Sequence, residues 1–210
     1  MNFHPKVFIV GSDWCNITSF LLFDFEKTNN IKEADIVMFT GGEDINPSLY
    51  GDIPHPTTHF TSRDIKEVEA FNNAPKTALL IGGCRGAQLL TVLSGGKLFQ
   101  HVTGHGGGSG GHEITTSDNR KFRITSCHHQ MMNPYGLPKE DYNLLAWSTV
   151  KLSPVYYTGQ GKAEVPADFK EPEIVYYPKT RSLCIQGHPE WMPKDAPVIP
   201  YINELIKNLL

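Results

Sequence analysis

The run Thr77-Ala78-Leu79-Leu80-Ile81-Gly82-Gly83-Cys84-Arg85-Gly86-Ala87-Gln88 constrains this chain more than any other segment. A short apolar stretch, Thr77 to Ile81, predicts a buried strand; it breaks into a glycine-flanked cysteine and restarts as a helix over Gln88 to Leu93. A strand that turns this sharply into a helix forces the apical residue into a strained backbone conformation. The flanking positions must then be glycine, because a side chain there would collide with the turning chain. The pattern predicts a nucleophile elbow with Cys84 at its apex. Its thiol would lie at the amino end of a helix beginning near Gly86, where free N–H groups and the helix dipole favour the thiolate and bind a developing oxyanion. A cysteine buried only for packing leaves the same local pattern, so the elbow alone does not decide the chemistry.

A second segment bears on it. The strand-like Ser182-Leu183-Cys184-Ile185 runs into Gln186-Gly187-His188-Pro189-Glu190-Trp191, which puts an imidazole and a carboxylate just past a strand end. A cysteine nucleophile uses such a pair: the histidine takes and returns its proton, and the acid fixes the histidine's tautomer. His188 and Glu190 are two residues apart and share a direction on extended backbone, with Pro189 opposing a helix.

The rest of the chain reads as alternating strands and helices. Val7 to Val10, Asp35 to Thr40 and Thr77 to Ile81 are continuously apolar rather than alternating, which implies burial on both faces and hence a parallel sheet with helices on each side. Asp64 to Phe71 carries Ile65, Val68 and Phe71 at helical spacing, and Val198 to Leu209 carries Ile199, Ile202, Leu205, Ile206 and Leu209 on one face. Ser19 to Phe25 is ambiguous between helix and strand. Phe122 to Thr125, Leu144 to Ser148 and Ile174 to Tyr177 read as further strands, some antiparallel. In open α/β sheets ligands bind beyond the carboxyl ends of the strands, where Gly41-Gly42 and Cys84 both fall.

With 210 residues there is chain for one core, so a single domain over residues 1–210 is expected, and a formal charge of −3 leaves no basic footprint for nucleic acid. No apolar run reaches membrane-span length and the amino terminus lacks a signal-peptide pattern, which predicts a cytoplasmic protein with no membrane partner. Cys15, Cys84, Cys127 and Cys184 are scattered without paired spacing, so neither a disulfide framework nor a four-cysteine zinc site is expected.

These motifs, taken in order, resemble the class I glutamine amidotransferase-like superfamily, and within it the gamma-glutamyl hydrolase branch that includes gamma-glutamyl-GABA hydrolases. Besides the elbow and the His-x-Glu segment, the resemblance rests on the stretch from Gly41 to Tyr50, the Arg63-Asp64 pair followed by Glu67, the Gly95 to Gln100 stretch, and Ser126-Cys127-His128-His129-Gln130. It implies an α/β, single-domain three-layer sandwich with a mostly parallel central sheet of flavodoxin-like type. It implies Cys84, His188 and Glu190 as nucleophile, base and orienting acid. The backbone amides of Gly42 and Arg85 become the oxyanion hole, although Gly41-Gly42 reads equally as a plain turn. Gln88, His128, His129 and Gln130 become substrate contacts; a solvated helix position for Gln88, and packing of His128 to Gln130 against Met131 and Met132, are the plain alternatives. The implied reaction is cysteine-dependent hydrolysis of a gamma-glutamyl amide without a cofactor, releasing ammonia or a larger amine. The resemblance implies a small-molecule substrate, with a separate synthetase or amidoligase chain as a possible partner; an oligomer is allowed, and a redox-sensing or otherwise non-catalytic member is a further alternative. Two departures stand out: Gly83, where many relatives carry a larger apolar residue, and the glycine-rich Gly104 to Gly111.

His101, His105, His112, His128 and His129 crowd one stretch. No His-Glu-x-x-His occurs and the glycine-rich tract opposes a helix through His105, so no metal site is expected from the spacing.

Overall fold

The computed structural model describes residues 4–13, 15–106 and 111–210. Part of the glycine-rich tract, 107–110, therefore lies outside the described residues. In chain order the elements are β1 (Lys6–Val10), β2 (Glu26–Lys27), β3 (Ile36–Phe39), α1 (Arg63–Asn73), β4 (Leu79–Gly83), α2 (Arg85–Leu93), β5 (Lys97–Phe99) and β6 (His101–Val102). There follow β7 (His112–Thr116), β8 (Lys121–Ile124), β9 (Met131–Asn133), β10 (Asn143–Ser148), β11 (Tyr156–Thr158), β12 (Gly161–Lys162), β13 (Pro172–Tyr177), β14 (Ser182–Ile185) and α3 (Val198–Leu209).

Nine strands form one sheet in the order β2-β1-β3-β4-β14-β13-β10-β7-β8. It is parallel from β2 through β14, and β13, β10, β7 and β8 extend it antiparallel. The reason for the parallel half is visible residue by residue. Ile36 and Met38 pack into one apolar layer with Ile199, Ile202 and Ile206 of α3, while Val37 and Phe39 pack into the other with Ala87, Leu89 and Leu90 of α2. Period-two alternation thus buries both faces, each such side chain contributing about 1.5–3 kcal/mol of burial. Three layers result, with α1 and α2 on one side of the sheet and α3 on the other. Among the described residues no helix is long and apolar enough to cross a membrane.

Two expectations are corrected. The helical spacing of Ile65, Val68 and Phe71 predicts an apolar inner face for α1; Val68 and Phe71 do pack, half-buried, against the apolar layer, but Ile65 is 71% exposed and the fully buried positions are Asp64 and Glu67. The helix turns its acids inward because a buried arginine waits for them there. The strand expected to end at Ile81 continues to Gly83, since Gly82 pairs with Phe39 and Cys184, and Gly83 with Ile185. The ambiguous Ser19 to Phe25 segment contains the end of a 3₁₀ turn over Ile17–Phe20, tied to α3 by Asn203, whose side-chain amide donates to the Phe20 carbonyl (2.9 Å) and accepts from the Leu22 N–H (2.8 Å).

Candidate active site

Cys84 caps α2 with φ 50° and ψ −109°, a region that L side chains rarely enter. The glycines on either side explain how it is held. A Cβ on Gly82 would run into the backbone of Gly86 and Ala87, and one on Gly86 would run into the Phe39 carbonyl. Gly83 differs: a Cβ there would meet only Ile17 Cδ1 at 3.4 Å, an ordinary contact. The elbow thus depends on Gly82 and Gly86, and Gly83 is permissive.

The adjacent strand supplies the second half. Cys84 N–H donates to the Ile185 carbonyl at the end of β14 (2.8 Å), and three residues on His188 Nδ1 lies 2.8 Å from Glu190 Oε1. That carboxylate, 1% exposed at its side chain, leaves Nε2 as the ring nitrogen free for proton transfer. Trp191 stacks on the imidazole at 3.6 Å between ring centroids and 3° between planes, and the Thr125 hydroxyl donates to the His188 carbonyl (2.5 Å). Cys84 and His188 meet at Gly41: a Cβ built there would lie 3.8 Å from Cys84 Cβ and 3.3 Å from His188 Cε1.

Arg85 is 1% exposed, and its guanidinium pairs with Asp64 and Glu67 of α1. Arg63 joins the group, donating to Glu67 Oε1 (2.7 Å), to Thr40 Oγ1 (2.7 Å) and to the Gly41 carbonyl (3.0 Å). This last bond orients a peptide. Because the unit is planar and trans, fixing the Gly41 C=O on Arg63 turns the Gly42 N–H the opposite way. A side chain on Gly42, at φ 152°, would strike the Arg63 guanidinium.

A cavity of about 220 Å³ opens here, with Gly42, Cys84, Gln88 and Cys127 to Gln130 in its walls and Glu43 and Asp44 beside them. Gln88 Nε2 donates to the Gln130 carbonyl (3.0 Å), so the residue is buried against the pocket wall rather than solvated. Gln130 Nε2 is a buried donor without a partner among the described residues. His129 is held by Asp44 Oδ1 at 3.0 Å, and that hydrogen bond raises its pKa. His128 contributes to the wall, but its ring nitrogens are turned elsewhere, Nδ1 to the Gln130 carbonyl (2.7 Å) and Nε2 toward His105 and Glu173.

One expectation reverses. The helix terminus predicts a thiol favoured as thiolate, whereas burial pushes the Cys84 thiol up to about 12. The Arg85 N–H opposes this rise and the neighbouring Glu190 charge adds to it. Desolvation of the charged form outweighs one well-placed amide. The resting group is a neutral S–H, 3.9 Å from the Cys127 carbonyl.

A family model for peptidase C26 matches residues 24–149, more than half of the chain. The chain belongs to the peptidase C26 family. Among curated relatives, a glutamine amidotransferase-like protein, the YvdE homolog of Lactococcus lactis subsp. cremoris, is 38% identical over 90 residues, 40% of this chain and 48% of that protein. NtpR of Enterococcus hirae is 40% identical over 76 residues, covering 35% and 32%. The chain thus matches about half or less of these relatives' length. A glutamine amidotransferase structure from Thermotoga maritima superposes with TM-score 0.54 at 16% identity, covering 99% of this chain and 86% of that one. PurLQS from the same organism gives 0.58 at 12%, covering 98% and 100%. At such identities the likeness is one of fold, and the fold is that of glutamine amidotransferases.

Three features of the structure escape the sequence. The acids of α1 are quoted as a motif but their partner, Arg85, reads in sequence only as an amide donor. Trp191, 45% exposed, gives no periodic signal for stacking on His188. The buried trio His105, His128 and Glu173 could hold a metal ion, and its trace was the pair Glu171 and Glu173 flanking Pro172 at the head of the apolar run Ile174 to Tyr177, acids where a core strand has no use for charge.

Proposed function

We infer that this protein hydrolyses a gamma-glutamyl amide through a glutamyl-thioester on Cys84. The observation that carries the reading is the meeting at one glycine of a strained, cavity-lining cysteine and an acid-oriented histidine from the neighbouring strand. Cys84 Sγ forms a bond to the side-chain carbonyl carbon as its proton passes to His188 Nε2. The carbonyl oxygen becomes an oxyanion between the N–H groups of Gly42 and Arg85, the donors that the Arg63 contact and the helix start favour. His188 then hands the proton to the departing nitrogen, and the C–N bond breaks. In the second half water gives a proton to His188 while its oxygen attacks the thioester. The C–S bond breaks, sulfur recovers the proton, and glutamate leaves.

A neutral resting thiol suits this order. The proton moves only when a carbonyl is seated to receive the sulfur electrons, which limits side reactions of a free thiolate. At about 220 Å³ the cavity lies below the range of about 300–1,000 Å³ that takes drug-sized ligands, so an amino-acid-sized glutamyl head fits and the amine side faces outward. Gln88, His129 and Gln130 are the residues we assign to the glutamyl head, with His128 shaping the wall.

The test is glutamate release from glutamine and from a set of gamma-glutamyl amines, with wild-type protein and with Cys84→Ser. Release from the larger amides, lost in Cys84→Ser, supports the hydrolase. Strong preference for glutamine moves the reading to a glutaminase that feeds a separate synthetase. No release from any of them, with an intact fold, refutes turnover and leaves the non-catalytic alternative.

A further inference from the structure

Behind the pocket wall, and outside the reaction just described, five titratable side chains converge: His105, His112, His128, Glu171 and Glu173. Four are buried and His112 is nearly so, its side chain 10% exposed. Within the group, one ring nitrogen of His105, one of His128 and a Glu173 oxygen lie within 4.8 Å of one another. His105 Nδ1 is 3.5 Å from Glu173 Oε1, close to the edge of about 3.3 Å of a tetrahedron with zinc bonds of about 2.0 Å. Among the described residues His128 Nε2 has no hydrogen-bond partner, His105 Nδ1 has only Glu173 Oε1 at 3.5 Å, and of the Glu173 oxygens only Oε1 has a close neighbour, His112 Nε2 at 2.7 Å. A buried imidazole nitrogen with no partner, beside a second imidazole and a carboxylate gathered at the same point, is costly without something between them.

The opposite side of each ring is as telling. His105 Nε2 lies 3.1 Å from Glu171 Oε2, and Glu171 also accepts from Leu152 N–H (2.8 Å), Ser153 N–H (2.8 Å) and the Tyr156 hydroxyl (2.6 Å). His128 Nδ1 donates to the Gln130 carbonyl (2.7 Å). Each histidine therefore has one nitrogen committed as an N–H donor to a fixed acceptor, which presents a lone pair at the other. Carboxylate-histidine and carbonyl-histidine pairs of this kind are how proteins orient metal-binding imidazoles. His112 Nε2, 2.7 Å from Glu173 Oε1, steadies the carboxylate.

We propose that His105 Nδ1, His128 Nε2 and the Glu173 carboxylate form a buried zinc site that pins the Ser126 to Gln130 wall of the pocket to β13. A proton shared by His105 between Glu171 and Glu173 is the competing account. It leaves His128 Nε2 with no partner among the described residues, whereas a metal ion satisfies all three inward atoms. Two imidazoles and one carboxylate match the borderline ligand preference of Zn²⁺, with water or a slightly turned His112 in the fourth position. The role is structural, since none of the three ligands belongs to the cysteine, histidine and acid group and His105 and Glu173 do not line the cavity.

The experiment titrates chelator-treated full-length protein with Zn²⁺ against a chromophoric chelator, and with Co²⁺ for its visible d–d bands. One equivalent per chain at submicromolar affinity, with a tetrahedral Co²⁺ spectrum, is the expected result. Glu173→Gln should weaken Zn²⁺ binding by at least about 100-fold. His101→Asn, which alters the separate group formed by His55, His101 and His129, should leave it unchanged. Should Glu173→Gln fail to fold, wild-type thermal unfolding still decides: excess Zn²⁺ at about a thousand times Kd should raise Tm by about 10 °C. No stoichiometric binding to wild-type protein, an octahedral Co²⁺ spectrum, or binding lost in His101→Asn and retained in Glu173→Gln would each overturn the site.

Discussion

Replacing Arg85 by methionine tests whether the elbow is held from behind by charge. The variant keeps chain volume and the Arg85 backbone N–H, but strands Asp64 and Glu67 in a region where they are 4% and 1% exposed. Asp64 then retains only the Asn46 N–H (2.8 Å) and Glu67 only Arg63 (2.7 Å). Removing one member of a buried ion pair costs about 3–5 kcal/mol because the remaining charge is uncompensated, which for a chain of this size lowers Tm by about 6–20 °C. The pH dependence follows from linkage. Burial already holds the Asp64 carboxyl above its ordinary value, and losing Arg85 raises it further. A folded-state pKa above the unfolded one means that the folded form binds the extra proton, so the deficit is largest at neutral pH and shrinks as pH falls toward that pKa. Urea unfolding at pH 7 and pH 5 measures both effects. Adding Asp64→Asn and Glu67→Gln to Arg85→Met should restore stability relative to the single variant, since no naked charge remains. A single variant with wild-type stability at pH 7, or a deficit that grows on acidification, would refute the account of why α1 turns its acids inward.

Further expectations concern the thiol, the acid and the turn. Iodoacetamide should modify Cys84 more slowly than a free thiol at neutral pH, with a rate still rising above pH 9, because burial holds its pKa up at about 12; an inflection below the unperturbed thiol value of about 8.5 would restore the helix-terminus argument. Glu190→Gln removes the charge that orients His188 while keeping the side chain's shape, and should lower turnover by roughly 10- to 10⁴-fold with little change in binding, as read from steady-state glutamate release. Turnover equal to wild type across pH would reduce the machinery to Cys84 and His188. Gly83→Ala should leave activity and Tm near wild type, whereas Gly86→Ala should unfold the elbow, since only the latter drives a Cβ into the Phe39 carbonyl; circular dichroism melts of the two variants compare them directly.

Legibility in the sequence tracks how local the cause is. The parallel core strands, the elbow and α3 were readable because continuous apolar runs, flanking glycines and helical spacing each act over a few residues. The inward face of α1 was not, because Ile65 and Phe71 match helical periodicity as well as any core pair, while the decision rests with Arg85, which lies 18 residues beyond Glu67 and 21 beyond Asp64. Electrostatic demand across that gap overrides a weak apolar pattern. The thiol's resting state is hidden in the sequence for a related reason. A helix terminus is visible in sequence, but the burial that opposes it is made by the fold, which also brings the Cys127 carbonyl, 43 residues on, to 3.9 Å from the sulfur.

The same reasoning explains why His188 and Glu190 were legible and His105, His128 and Glu173 were not. The first two stand next to one another past the end of β14, so a single turn suffices to bring their side chains together, and the elbow's own strand lies beside them in register. The other three come from a loop after β6, a loop before β9 and the edge of a core strand, and only the antiparallel half of the sheet assembles them. A clue was nonetheless present. Glu171 and Glu173 alternate with Pro172 directly before Ile174-Val175-Tyr176-Tyr177, so a strand that enters the core carries two acids at the spacing of one face. Charges at such positions are retained only with partners of opposite sign or with a ligand, and the histidine-rich stretch from His101 to His129 was the one part of the sequence rich enough in nitrogen donors to supply them.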